Sequence, residues 1–124
     1  MAKQIKLISQ YIKDLSFENY AAQKNNFSKE KPDINIDIKI KHKKLNTTYQ
    51  EITLLLLLEA KNSSGKIFLI ELSYSATFAF TKVDDLEQEK RIIFIDCPNM
   101  IYPFVRQLLF SITQNGGFLP LSLD

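Results

Sequence analysis

The chain has 124 residues, one cysteine and a formal net charge of +2. That length suits a single domain burying roughly two-thirds of its unfolded surface, and 45% hydrophobic with 24% charged residues is an ordinary globular balance. The lone Cys97 excludes an internal disulfide framework and fits a reducing compartment. The charge is too small to imply nucleic acid by itself, and the apolar run Leu54–Leu58 falls far short of the ~20 residues that cross a bilayer. The polar N-terminus lacks the apolar core of a signal peptide. A cytoplasmic protein with no membrane insertion is expected.

Between Gln4 and Phe17, the residues Ile5, Leu7, Tyr11, Leu15 and Phe17 recur by twos and fours. This predicts a strand, with a bulge or bend where the alternation breaks near Ile8–Ser9. A polar connection follows, NYAAQKNNFSKEKPD, in which Phe27 either anchors the loop on the core or lines a binding surface. Ile34, Ile36, Ile38 and Ile40 alternate with Asn35, Asp37, Lys39 and Lys41, the pattern of a strand with one buried and one wet face. Tyr49–Ala60 is the next predicted strand, and its block of leucines implies apolar contact on both faces. Asn62-Ser63-Ser64-Gly65 reads as a hairpin loop, and Lys66–Phe80 as the returning strand. The short connections favour antiparallel pairing of these three strands.

Asp84–Arg91 reads as a short polar helix whose acidic start and basic end complement its dipole. The main helix starts near Pro98 or restarts after Pro103, because an interior proline removes a backbone donor. Ile101, Phe104, Val105, Leu108, Leu109 and Ile112 form its apolar stripe, and Asn115-Gly116-Gly117 its stop. Phe110 lies nearly opposite the stripe; it is either a lone exposed ring or evidence that the helix is covered on two sides. The expectation is an α+β fold, a four-stranded antiparallel sheet packed against a long C-terminal helix, in one domain spanning 1–124. Such a sheet is roughly 19 Å wide and one helix covers only about 10 Å of it. A homo-oligomer with the helix between sheets of different subunits is therefore expected, with Phe104, Leu108 and Phe110 at the interface.

Glycines stand only at 65, 116 and 117, so neither GxxxxGKS/T nor GxGxxG can be drawn from them. His42 and Cys97 are the sole residues of their kinds, which leaves no metal-ligand set, and no cofactor or catalytic residue is expected. Lys39, Lys41, Lys43 and Lys44 lack interleaved aromatics and read as a hydrated face, with no nucleic-acid partner expected. The residues point to a binding protein.

Three stretches resemble the SecB family of bacterial protein-export chaperones. YIKDLSFE (Tyr11–Glu18) is similar to the family's opening strand motif and FLIELSYSATF (Phe68–Phe78) to a later one. CPNMIYPFVRQLLFSITQNGGFLPLSLD has the family's Cys-Pro-Asn, Tyr-Pro-Phe, Arg, Gly-Phe and Pro-Leu elements in order. The resemblance implies a homotetramer, assembled as a dimer of dimers, that holds precursor proteins unfolded without ATP and passes them to the SecA translocation motor. It implies SecA docking through Asp14, Glu18, Leu69 and Glu71. A client groove of apolar and aromatic surface is also implied, for which Phe27, Phe68, Tyr74 and Phe78 are the candidates. Typical members continue past the position of Asp124 through another helix and an acidic tail, and those elements are expected to be absent here. Two other readings stay open: a SecB-like chaperone for another client, such as an antitoxin, and a basic oligomeric domain that binds nucleic acid.

Overall fold

Strands β1 (Ile5–Asn19), β2 (Asp33–Lys44), β3 (Tyr49–Asn62) and β4 (Gly65–Phe80) form one antiparallel sheet in the order β1-β4-β3-β2. The structure is a computed structural model describing residues 5–27, 30–81 and 85–123; Gln4, Asp84 and Asp124, which the sequence reading uses as end points, lie outside the described residues. A short helix α1 (Tyr20–Gln23) follows β1, and α2 (Leu86–Arg91) leads through a π-helical turn, Ile92–Asp96, into α3 (Cys97–Asn115).

The irregular spacing in β1 has a physical cause. Its register against β4 slips between Leu7 and Ser9 and again between Ile12 and Asp14. Each bulge inserts one residue, so the side-chain alternation reverses twice. Ile5 and Leu7, then Gln10 and Ile12, then Leu15 and Phe17 consequently share the helix side of the sheet. Tyr11, expected beside Leu7 and Leu15, points the other way.

Of the two expected starts of the main helix the first holds: α3 begins at Cys97 with Pro98 in its first turn, and it runs through Pro103 without restarting. Cys97 N–H reaches back to the carbonyl of Ile92, one residue further than in an α-helix. Pro98 follows, and its ring would otherwise crowd the carbonyl of Phe94; the wider turn relieves that clash and keeps α2 and α3 continuous. Pro103 stands inside α3, exposed, as is Asn99 four residues earlier. The carbonyl that loses its donor can therefore reach water.

On the helix side, Ile52, Leu54, Leu56 and Leu58 of β3 and Phe68, Ile70, Leu72 and Phe78 of β4 are buried with Ile101, Val105 and Leu109 of α3 in one core cluster. Full burial of such side chains is worth about 1.5–3 kcal/mol each. Of the predicted stripe, Leu108 and Ile112 are half-buried and Phe104 is exposed. Thr113 completes the buried face, and its hydroxyl donates to Leu109 O and accepts from Leu121 N–H, both at 2.8 Å.

Two glycines finish α3 for different reasons. Gly117 has φ +88, and the bonds Phe118 N–H to Thr113 O and Gly117 N–H to Gln114 O make a Schellman stop. Gly116 is needed for space, because a Cβ there would lie 2.7 Å from the Phe17 ring.

Candidate protein-binding surfaces

The sheet's outer face, turned away from α3, gathers the four residues expected to dock a partner. Glu18 pairs with Leu69, Ser16 with Glu71 and Asp14 with Ser73 on neighbouring strands, so the two sequence motifs meet as one patch. On the far side of β4, Leu57 pairs with Glu71 and Leu55 with Ser73. Asp37 then pairs with Leu57 from β2. A shallow depression of about 320 Å³ is lined by Asp14, Asp37, Lys39, Leu57 and Glu71. The sequence reading missed Leu57 and Asp37 as members. Their signal was the unbroken run of leucines, which puts apolar side chains on a face that alternation assigns to polar ones.

A polar network fixes the bulged part of β1 across this face. Tyr11 Oη donates to Glu51 Oε2 at 2.6 Å and Lys13 Nζ to Glu51 Oε1 at 2.6 Å. The Tyr11 hydroxyl also lies 3.1 Å from Thr77 Oγ1. Lys13, and then Tyr11, hold the Glu51 carboxyl below its ordinary range. Burial, followed by the hydrogen bond to Glu51, pushes the Tyr11 phenol up. Lys13 is the inserted residue of the second bulge. The bulge thus turns a lysine onto the outer face, where it meets a mostly buried carboxylate from β3.

A second surface lies at the opposite end of α3 from its π-helical entry. Phe17, Phe68, Phe118 and Phe27 form a chain of rings with successive centroid separations of 6.0, 4.8 and 5.6 Å. Phe27 is half exposed while touching Phe118, so it both anchors its loop and presents a face outward. With Ala21, Pro32, Ile67 and Phe118 it borders a cleft of about 70 Å³. Asn19 positions these parts. Its side chain caps α1 at Ala22 N–H and donates to Gly116 O at 2.8 Å, tying the loop to the end of α3.

The other aromatic candidates fare differently. Phe68 is buried, but as a link in the ring chain beneath the cleft. Phe78 is fully buried, and Tyr74 is 7% exposed with its hydroxyl donating to Gln10 Oε1. Both point to the helix side of β4 and are buried in the core cluster, and neither offers a ring to an incoming chain. Phe118 and Asn19 take their place; the Gly-Phe step in the tail was the available clue.

Apolar surface also remains on the helix side. Phe104 and Phe110 are exposed, Leu108 is half-buried, and Ile12, Leu15, Ile36 and Ile38 lie uncovered on the sheet's flanks. Cys97 is buried, which raises its thiol to about 12, so it stays protonated near neutral pH and is a poor nucleophile. No helix among the described residues is long and apolar enough to cross a membrane.

Comparison with known proteins gives a consistent result. The family model for SecB, preprotein translocase subunit SecB, matches residues 1–124. A protein-export protein SecB of Dinoroseobacter shibae is 41% identical over 123 residues, covering 97% of this chain and 71% of the relative. One from a Ruegeria species is 38% identical over 124 residues, covering 98% and 75%. Among solved structures, a SecB-like chaperone of Mycobacterium tuberculosis in complex with an antitoxin peptide superposes with a TM-score of 0.80 at 12% identity, over 98% of this chain and 89% of that one. At that identity the likeness concerns the fold, which shares the four-stranded sheet and long helix found here.

Proposed function

The chain belongs to the SecB family of protein-export chaperones, and from that premise we propose that it holds precursor polypeptides unfolded in the cytoplasm, without nucleotide, and delivers them to SecA. Delivery is read from one observation above all. Asp14 and Glu18 from one motif and Leu69 and Glu71 from another converge on neighbouring strands of one open sheet face. Carboxylates around exposed leucine suit a basic, partly apolar docking segment, since complementary charge steers the encounter while the leucines supply contact area. The exposed side of the Phe27–Phe118 cleft and the uncovered flanks of the sheet support client holding. Aromatic and aliphatic surface binds extended chains with little sequence preference.

The functional unit in this reading is a homotetramer, a dimer of dimers. Exposed Phe104 at the edge of the α3 stripe and exposed Phe110 nearly opposite it leave apolar surface that such an assembly would cover. Calorimetry of SecA binding tests the delivery step. Asp14→Ala combined with Glu71→Ala is expected to weaken SecA about tenfold and leave client binding intact. An unchanged SecA affinity would remove these residues from the docking surface.

A chaperone dedicated to an antitoxin is the second reading, supported by the fold of the peptide-bound neighbour. The 34–41% identity to export proteins favours the first. Recovery of SecA or of a single dedicated client from cell extract separates the two.

A further inference from the structure

The outer face of the sheet has a second depression, of about 300 Å³, bordered by Lys13, Lys41, Lys43, Glu51 and Thr53. It shares Asp14, Leu55 and Ser73 with the depression around Leu57 and Glu71, so the two form one trough along the strands. The register sorts charge along this trough. Lys43 pairs with Glu51, Lys41 with Thr53, Lys39 with Leu55 and Asp37 with Leu57. Lys13 reaches over β4 to Glu51 and adds a third cation at the Lys41–Lys43 end. Glu18, Asp37 and Glu71 lie at the other end. Asp14 and Lys39 mark the crossing, standing in one row through Ser73 and Leu55. Apart from Glu51 these charged groups are exposed. Lys13 and Glu51 pair with each other, and among the described residues the rest make no ion pair.

We propose that the partner segment docking on this face carries charge of both signs in two blocks, with basic side chains over Glu18, Asp37 and Glu71 and an acidic side chain seated between Lys13, Lys41 and Lys43. Asp37 and Lys41 are four residues apart on one strand, a distance of ~13 Å. That exceeds the Debye length of ~8 Å at physiological salt, so neither end of the trough cancels the field of the other. A segment long enough to cross both ends therefore meets two separate poles. One of uniform positive charge would gain at the carboxylates and be repelled at Lys41 and Lys43, whereas one with its charges in two blocks gains at both. The inference rests on the proposed docking of SecA on this face and adds what the docking segment must carry.

Two other occupants fit less well. Nucleic acid held by the lysines would run its phosphates along the trough onto Asp14, Asp37 and Glu71, because its charge repeats at every nucleotide. A second copy laid face to face with its strands reversed would match the two ends. The centre of such a contact would be small and polar, where Thr53, Ser73 and Ser75 stand, whereas the core of a homodimer interface is mostly apolar.

Fluorescence anisotropy with the full chain and a labelled peptide of about ten residues, one half rich in Lys and Leu and the other in Glu, tests this. It should bind about tenfold tighter than the same peptide with Gln for Glu, and the version with Lys for Glu should bind most weakly. Lys41→Gln with Lys43→Gln should make the Glu and Gln peptides bind alike. Lys41→Glu with Lys43→Glu should invert the order, so that the Lys peptide binds best. If circular dichroism shows that this second variant misfolds, the Gln variant alone decides. Equal binding of the Glu and Gln peptides to the parent, failure of the Glu peptide to bind, or an unchanged order in a folded variant would overturn the proposal. So would displacement of the peptide by an oligonucleotide at equal concentration. A light-scattering mass that falls in the Gln variant would overturn it too, by assigning the face to a second copy. Calorimetry with SecA separates the two levels, since the Gln variant should bind SecA severalfold more weakly than the parent does. If Asp14→Ala with Glu71→Ala weakens SecA while the Gln variant binds it unchanged or tighter, only this inference fails. If the Asp14 and Glu71 changes leave SecA unaffected, the docking reading fails, and the peptide order alone decides whether the trough reads both signs.

Discussion

Leu54, Leu56 and Leu58 of β3 are at most 4% exposed, whereas Leu57, on the same strand, is 43% exposed. The chemistry of these side chains is identical. What differs is that α3 lies over one face of the sheet and no element of the described chain covers the patch around Leu57. An apolar residue under the helix contributes to folding; the same residue across the sheet keeps its apolar area available for a partner. The comparison explains how a small chain can have both a well-packed core and unsatisfied apolar surface.

The contrast can be broken most severely from the helix side. Leu56→Ala should cost about 2–5 kcal/mol, because it removes buried methyl groups and leaves a cavity under α3. Urea denaturation would register this as a lower midpoint, and a midpoint unchanged from the parent would mean that the core is not where the burial pattern places it. On the far side of the same helix, Phe110→Asp should split the proposed tetramer to dimers while retaining the secondary structure. Light scattering with circular dichroism would follow both, and an intact tetramer would show that this ring is merely exposed.

The outer face has one substantial stabilising feature, the Tyr11–Glu51–Lys13 network. Glu51→Gln should cost about 1–2 kcal/mol at neutral pH, the scale of a charge-assisted hydrogen bond. The folded carboxyl titrates below its ordinary value of 4.5. Its contribution is therefore present above that value and lost as pH falls through the lower folded one. Thermal unfolding of parent and variant should thus differ at pH 7 and converge in acid; a difference that persists at pH 2 would assign it to packing. Leu57→Ala completes the series with the smallest effect on stability, within about 0.5 kcal/mol. SecA affinity should nevertheless fall severalfold, and a large loss of stability with unchanged affinity would reverse the assignment of the two faces.

Much of this organisation was legible in the residues. The alternation of Ile34 to Ile40, the turn at Asn62–Gly65 and the i, i+4 series Ile101, Val105 and Leu109 define strand, hairpin and helix through local geometry. Local rules failed where two elements had to accommodate each other. Tyr11 changed face because the pairing of β1 with β4 inserted two bulges. The helical path runs on upstream of Pro98, where the main helix was expected to start, because a π-helical turn made room for the ring. Tyr74 and Phe78 stood as groove candidates, and the register of β4 turns both to the buried helix side of the sheet.

The sequence by itself determined the four strands, the long terminal helix and the family, since periodicity and motif order are properties of the chain. Only the tertiary structure decided which leucines are core and which are surface, that Asp14, Glu18, Leu69 and Glu71 share one patch, and that β2 keeps an open edge with its lysines sorted to one side. These depend on register and on where α3 lies. Both are set by contacts between residues distant along the chain, to which local periodicity is blind.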